Sequence, residues 1–190
     1  GALGGSWVRT SGVTINSNQL AQTSGSSSPI WNGAVYGADQ EAYVTLNVIT
    51  ANSPEHDLLL KVQGTSATSA QLEIRYDAVQ RIVMVSTYTP GTGWRGWGNS
   101  PTVTFVAGDQ IGARARASGA VELYRNGAIA AQSFGSWEEF SRWLDGLDES
   151  GVQISLKLPC LGYQAVRNQS PSMQNFIVES VKRAPRKGLE

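Results

Sequence analysis

Arg114, Arg116, Glu122 and Tyr124 recur at every second position on either side of a turn in GDQIGARARASGAVELYRNG, residues 108–127. In extended chain this spacing places two guanidinium groups, a carboxylate and a phenol on one sheet face, while Ile111, Ala113, Ala115, Val121 and Leu123 take the other. One face is core. The other sets planar donors beside acceptors, an inventory suited to gripping a polyhydroxylated ligand. Glu73 and Arg75 alternate in the same way in Gln71-Leu-Glu-Ile-Arg-Tyr76, where Leu72, Ile74 and Tyr76 point inward, and they are expected to join the same outer face. If these arginines meet a ligand, bidentate recognition favours carboxylate-bearing sugars such as uronates. The plain alternative is a ladder of Arg opposite Glu, each pair contributing roughly 0.2–1 kcal/mol to the sheet.

A second group lies in TPGTGWRGWGNS, residues 89–100, which reads as an open glycine-rich loop with Trp94 and Trp97 around Arg95. Indole packs on the C–H face of a sugar ring, and guanidinium or amide groups then satisfy the hydroxyls. Trp31, beside Asn32 and Gly33 after a Ser-rich run, is a lesser candidate of the same kind. The alternative is a loop pinned by its own tryptophans, with one or both folded into the protein.

Strand-like alternation positions these groups. It runs over 7–15, 19–23, 41–50, 57–63, 71–77, 81–89, 102–106, the two arms of the 108–127 hairpin, 129–134, 152–158 and 175–181. Turn clusters at 23–29, 51–54 and 90–93 separate them. With no βαβ rhythm, the fold class is all-β, an antiparallel two-sheet β-sandwich. One segment departs from it. Ser136-Trp-Glu-Glu139 reads as a capping box, and Trp137, Phe140, Trp143, Leu144 and Leu147 then recur at helical spacing, so one short amphipathic helix is expected near 136–147.

The length of 190 residues suits one sandwich domain over 1–181, followed by a basic, proline-broken tail at 182–190 whose closing Leu-Glu resembles a cloning scar. Charge is balanced at 15 basic and 15 acidic residues, so no long-range field draws the protein to nucleic acid, and no apolar run of membrane-spanning length occurs. A single cysteine, Cys160, and a single histidine, His56, exclude an internal disulfide and a Cys/His zinc site. Cys160, between Pro159 and Leu161, reads as a small buried apolar residue. His56 reads as a turn residue. Asp39 with Gln40 and Glu41, or Asp109, are the oxygens that would hold a hard cation such as calcium, although no dense acidic loop is present. Gly1 to Gly5 reads as a cut inside a larger protein.

The stretches GADQEAYVT (37–45), DLLLKVQ (57–63), EIRYD (73–77) and 108–127 resemble bacterial modules of the concanavalin A-like, laminin-G-like jelly-roll class, over about residues 7–134. Such modules are typically appended to secreted multidomain proteins. The resemblance implies a secreted or cell-surface location, other domains of a parent chain as neighbours, and carbohydrate binding as the commonest task. Val152 to Leu158 and Gln174-Asn-Phe176 depart from the family's acidic closing pattern, which puts any calcium or edge function in doubt. The sandwich glucanases of this class carry a Glu-x-Asp-x-x-Glu run, and none occurs here. The expectation is therefore a non-catalytic carbohydrate-binding module that holds polysaccharide through Trp94, Arg95, Trp97, Glu73, Arg75, Arg114, Arg116, Glu122 and Tyr124. A structural or adhesive spacer with a protein partner, and a glycan-cleaving hydrolase or lyase, are the alternatives.

Overall fold

The computed structural model describes residues 1–24, 28–52, 54–132 and 152–157, with Gln132 and residues 152–157 described as backbone only. Thirteen strands are present among the described residues, and every pairing between them is antiparallel. They are β1 (Trp7–Val8), β2 (Val13–Asn16), β3 (Gln19–Gln22), β4 (Ile30–Tyr36), β5 (Gln40–Thr45), β6 (His56–Val62), β7 (Gln71–Asp77), β8 (Ile82–Thr89), β9 (Gly93–Trp97), β10 (Gln110–Ala115), β11 (Val121–Arg125), β12 (Ala128–Gln132) and β13 (Val152–Lys157). A seven-stranded sheet runs β1-β4-β13-β6-β7-β8-β9 and a four-stranded sheet runs β12-β11-β10-β5; β2 and β3 form a separate hairpin.

The two large sheets pack face to face through residues of one parity. Leu58, Leu60, Leu72, Ile74, Tyr76, Val83, Val85 and Trp97 come from the seven-stranded sheet, and Ala42, Ile111, Ala113, Ala115, Val121 and Leu123 from the other, forming one buried cluster. Residues of the opposite parity therefore lie on the two outer faces, which look away from each other across sheets about 10 Å apart. Local chemistry fixes the register of the β10–β11–β12 meander. Gly119 at φ 85° closes the first turn, and Asn126 and Gly127 at φ 52° and 78° form the two-residue link to β12, a conformation that Asn-Gly adopts at low cost. Asn126 also receives the Gln110 amide through its side-chain oxygen, at 2.8 Å.

Several elements differ from their sequence reading. Residues 93–97, expected as an open loop, form β9 on the edge of the large sheet, and Trp31 sits in β4 instead of a loop. The run 7–15 divides into β1 and β2, and the run 41–50 ends at Thr45. Residues 102–106 make one isolated bridge, Ile82 with Thr102, and no strand. His56 is a buried first residue of β6, not a turn residue. The helix expected near 136–147, the strand expected at 175–181, Cys160 and the tail 182–190 lie outside the described residues.

Candidate functional site

On the outer face of the four-stranded sheet two rungs of three residues cross adjacent strands. In one, Arg114 of β10 stands between Glu41 of β5 and Glu122 of β11; in the next, Gly112 stands between Tyr43 and Tyr124. The first rung is ionic. Arg114 Nε donates to Glu41, Arg114 Nη1 lies 3.6 Å from Glu122 Oε2, and Arg116 Nη2 donates to both oxygens of Glu122, at 3.2 and 3.0 Å. Tyr124 Oη donates to the same Glu122 at 2.9 Å, and Tyr43 Oη donates to Glu41. Arg114 also lies 5.4 Å from the centre of the Tyr124 ring, within cation–π range.

The second rung depends on a missing side chain. Tyr43 and Tyr124 belong to strands two spacings apart, about 9–10 Å, yet their ring centres are 5.9 Å apart at 61°. They meet because Gly112 between them has no Cβ, and a Cβ there would fall 2.0 Å from Tyr43 Cδ1. The result is a floor of glycine backbone roofed by two rings and bordered by fixed charges.

The protonation states follow from these contacts. For Glu122, burial pushes the pKa up, but hydrogen bonds from Tyr124 and Arg116 and the charges of Arg116 and Arg114 outweigh it, so the carboxyl is held below its usual range. The Tyr43 hydroxyl is pushed well above its ordinary value by burial, by its hydrogen bond to Glu41 and by that carboxylate's charge. Tyr124 moves the same way, by burial and by its bond to Glu122. Arg114 is raised, chiefly by its hydrogen bond to Glu41. At neutral pH Glu122 is thus an anion and Arg114 a cation, with both phenols protonated.

The remaining predicted residues are dispersed. Arg114, Arg116, Glu122 and Tyr124 do share one face as expected, joined by Tyr43 and by Glu41, which the sequence offered only as a cation ligand. Their signal was available: Glu41-Ala-Tyr43 has the alternation of a half-buried strand. Glu73 and Arg75 are on the seven-stranded sheet, facing away from this cluster, because β7 pairs with β6 and β8. Glu73 is only 1% exposed and lies 2.8 Å from Arg75, which also meets Glu55 at 3.0 Å and Asp57 at 3.8 Å.

Trp94 and Trp97 do not form a pair. Trp97 is 6% exposed within the core, and its indole N–H donates to Thr87 at 2.8 Å, so it is removed from the candidate site. Arg95 lies on the same side, its guanidinium 4.4 Å over the Trp97 ring. Trp94 is 48% exposed on the opposite, outer face of the seven-stranded sheet, edge-on to Tyr88 at 5.2 Å. Trp31 is half-buried, packed against Trp7 at 5.3 Å and across Gly33.

The oxygens considered for a cation are engaged by donors. Asp109 accepts from Arg125, Asn126 and the Val106 amide, Asp39 from the Ala117 amide, and Gln40 from the Lys61 amide. Among the described residues no group of three or more His, Cys, Asp or Glu side chains converges as metal ligands would.

No protein-family model matches the sequence, and no curated protein does. Solved structures do. The carbohydrate-binding module CBM66 from Bacillus subtilis superposes with a TM-score of 0.56 at 11% identity, covering 82% of this chain and 88% of that one. A laminarinase catalytic domain from Thermotoga maritima gives 0.44 at 14% identity over 80% of this chain and 64% of that one. An alginate lyase from Pseudomonas aeruginosa gives 0.37 at 12% identity, over 87% and 81%. Together with the antiparallel two-sheet packing, the first likeness identifies the fold as a concanavalin A-like jelly-roll β-sandwich.

Proposed function

We propose that this chain is a non-catalytic carbohydrate-binding domain, part of a secreted or surface protein, and that it holds a neutral polysaccharide on the Glu41–Arg114–Glu122 face. One observation supports this above the rest: Glu122 is gripped by Arg114, Arg116 and Tyr124 together, so two guanidinium planes are pre-set before a ligand arrives. The Arg114 and Arg116 side chains remain 30% and 41% exposed, and each guanidinium has more N–H donors than Glu41 and Glu122 occupy. Preorganised donors spare a ligand part of the ordering cost of binding. The cluster's charges cancel, which favours hydroxyl-rich neutral sugars over the uronates that arginines alone would select. The Bacillus subtilis neighbour, a carbohydrate-binding module by name, is consistent with this reading.

The chemistry of Glu122 and of the two phenols speaks against their acting in cleavage. A glycosidase acid needs a carboxyl whose pKa is raised, and Glu122 is held low. A lyase base needs a phenol whose pKa is lowered, and Tyr43 and Tyr124 are held high. The reading of a spacer domain with a protein partner is favoured by one feature: the acids and arginines also satisfy one another, as a purely structural ladder would. Affinity electrophoresis of wild type and Arg116→Ala through a panel of soluble polysaccharides separates the two. Glycan binding predicts retardation of the wild type that Arg116→Ala reduces, and a spacer predicts none.

A further inference from the structure

The outer face of the seven-stranded sheet carries a separate set of groups. Trp94, Tyr88 and Gln71 form one row across β9, β8 and β7, and Gly96, Ser86 and Glu73 form the next. Trp94 stands half-exposed against Tyr88, and beside it a Cβ built on Gly96 would meet nothing within 4 Å. The indole is thus bordered by open space where a side chain would ordinarily stand. Gln71, at the inner end of that row, is buried, so the accessible part of the row is Trp94 and Tyr88.

An indole with cleared space beside it and a hydroxyl at Ser86 match the two aspects of a neutral sugar, its apolar C–H face and its hydroxyl rim. The row of Trp94, Tyr88 and Gln71 carries no charged side chain, so nothing there selects for an ionic ligand. This face looks away from the Glu41–Arg114–Glu122 face, with both sheets between them. A straight glycan lying on one cannot touch the other.

We infer that Trp94, with Tyr88 and the gap at Gly96, is a second contact for a neutral polysaccharide, and that the domain bridges two glycan chains. This rests on the glycan-binding reading of the opposite face. Bridging turns two weak contacts into avidity on an insoluble or crowded glycan, where the second encounter occurs at high effective concentration.

The test uses the whole chain, confirmed monomeric by sedimentation, with a soluble polysaccharide that retards it in an affinity gel. Wild type is expected to raise the light scattering of that polysaccharide severalfold, as bridged chains grow, and the rise should vanish in excess protein. Trp94→Ala and Gly96→Leu, the second filling the gap without touching the core, should lose the rise yet still be retarded through the arginine face. Trp94→Phe should keep it. If both loss variants scatter like the wild type, or if the retarded wild type raises no scattering, the bridging inference fails alone. If no polysaccharide retards the wild type, the glycan reading itself fails and this inference with it.

Discussion

Trp94 and Trp97 stand on opposite faces of the same five-residue strand, one half-exposed outside and the other buried with its N–H on Thr87. Three positions separate them, and a strand inverts its side chains at every step. Two aromatic residues that look like a pair in the sequence therefore serve different purposes. Trp97→Ala should cost about 3–5 kcal/mol through the cavity it leaves, whereas Trp94→Ala should change stability by about 0.5 kcal/mol, as at an ordinary surface site. Urea denaturation of both variants checks this, and equal losses would contradict the assignment of faces.

Gly112 is the next point of leverage. Any Cβ there runs into the Tyr43 ring, so Gly112→Ala should cost about 1–3 kcal/mol by overpacking and should displace Tyr43 from Tyr124. Near-ultraviolet circular dichroism of the tyrosine band should change along with the denaturation midpoint. An unaltered spectrum at unaltered stability would show that the ring does not lie across Gly112.

Acid should weaken the fold in a defined direction. Glu122, Asp77 and Asp109 all have folded pKa values below their ordinary ones. At Asp77 burial is outweighed by hydrogen bonds donated by Gln80 and Val79, and bonds from Asn126 and Val106 dominate at Asp109. In that pH range the unfolded chain binds more protons than the folded one. The stabilisation these groups give is present above pH about 4.5 and is lost as pH falls through their folded values. Glu122→Gln should therefore show a smaller drop in urea midpoint between pH 6 and pH 3 than the wild type. An identical drop would mean that the arginines do not hold Glu122 low.

Alkali tests the phenols. Tyr43 and Tyr124 are raised above 10.0 in the fold, so their contribution is complete below pH about 10 and is lost as pH rises beyond it, when the unfolded chain ionises first. Tyr43→Phe should flatten that loss. A wild type whose spectrophotometric tyrosine titration gives six phenols ionising together near pH 10, out of the six in the chain, would contradict both shifts.

How much of this was legible in the sequence depended on whether a segment's structure is set locally. The β10–β11–β12 meander was legible because strict alternation, Ser118-Gly119 and Asn126-Gly127 all specify it within twenty residues. β9 was not, because GWRGW has two glycines and no β-branched residue, and only its pairing with β8 makes it a strand. Residues 102–106 show the reverse case: the alternation is present, but Val103 bonds to Arg81 and only Thr102 bridges to a strand. Parity told inward from outward correctly for Leu72, Ile74 and Tyr76, yet it could not say to which sheet Glu73 and Arg75 belong. That depends on strand order, a non-local property. The Tyr43–Gly112–Tyr124 rung was hidden for the same reason, since β5 and β10 are far apart in sequence and adjacent in space.

Isothermal titration of one neutral polysaccharide into wild type and into Arg114→Ala/Arg116→Ala, each shown folded by circular dichroism, tests the central claim most directly. The account predicts saturable binding that the double variant weakens at least about tenfold, a change of ~1.4 kcal/mol. Binding of equal strength in the two proteins, or none in the wild type with any glycan tried, would contradict it.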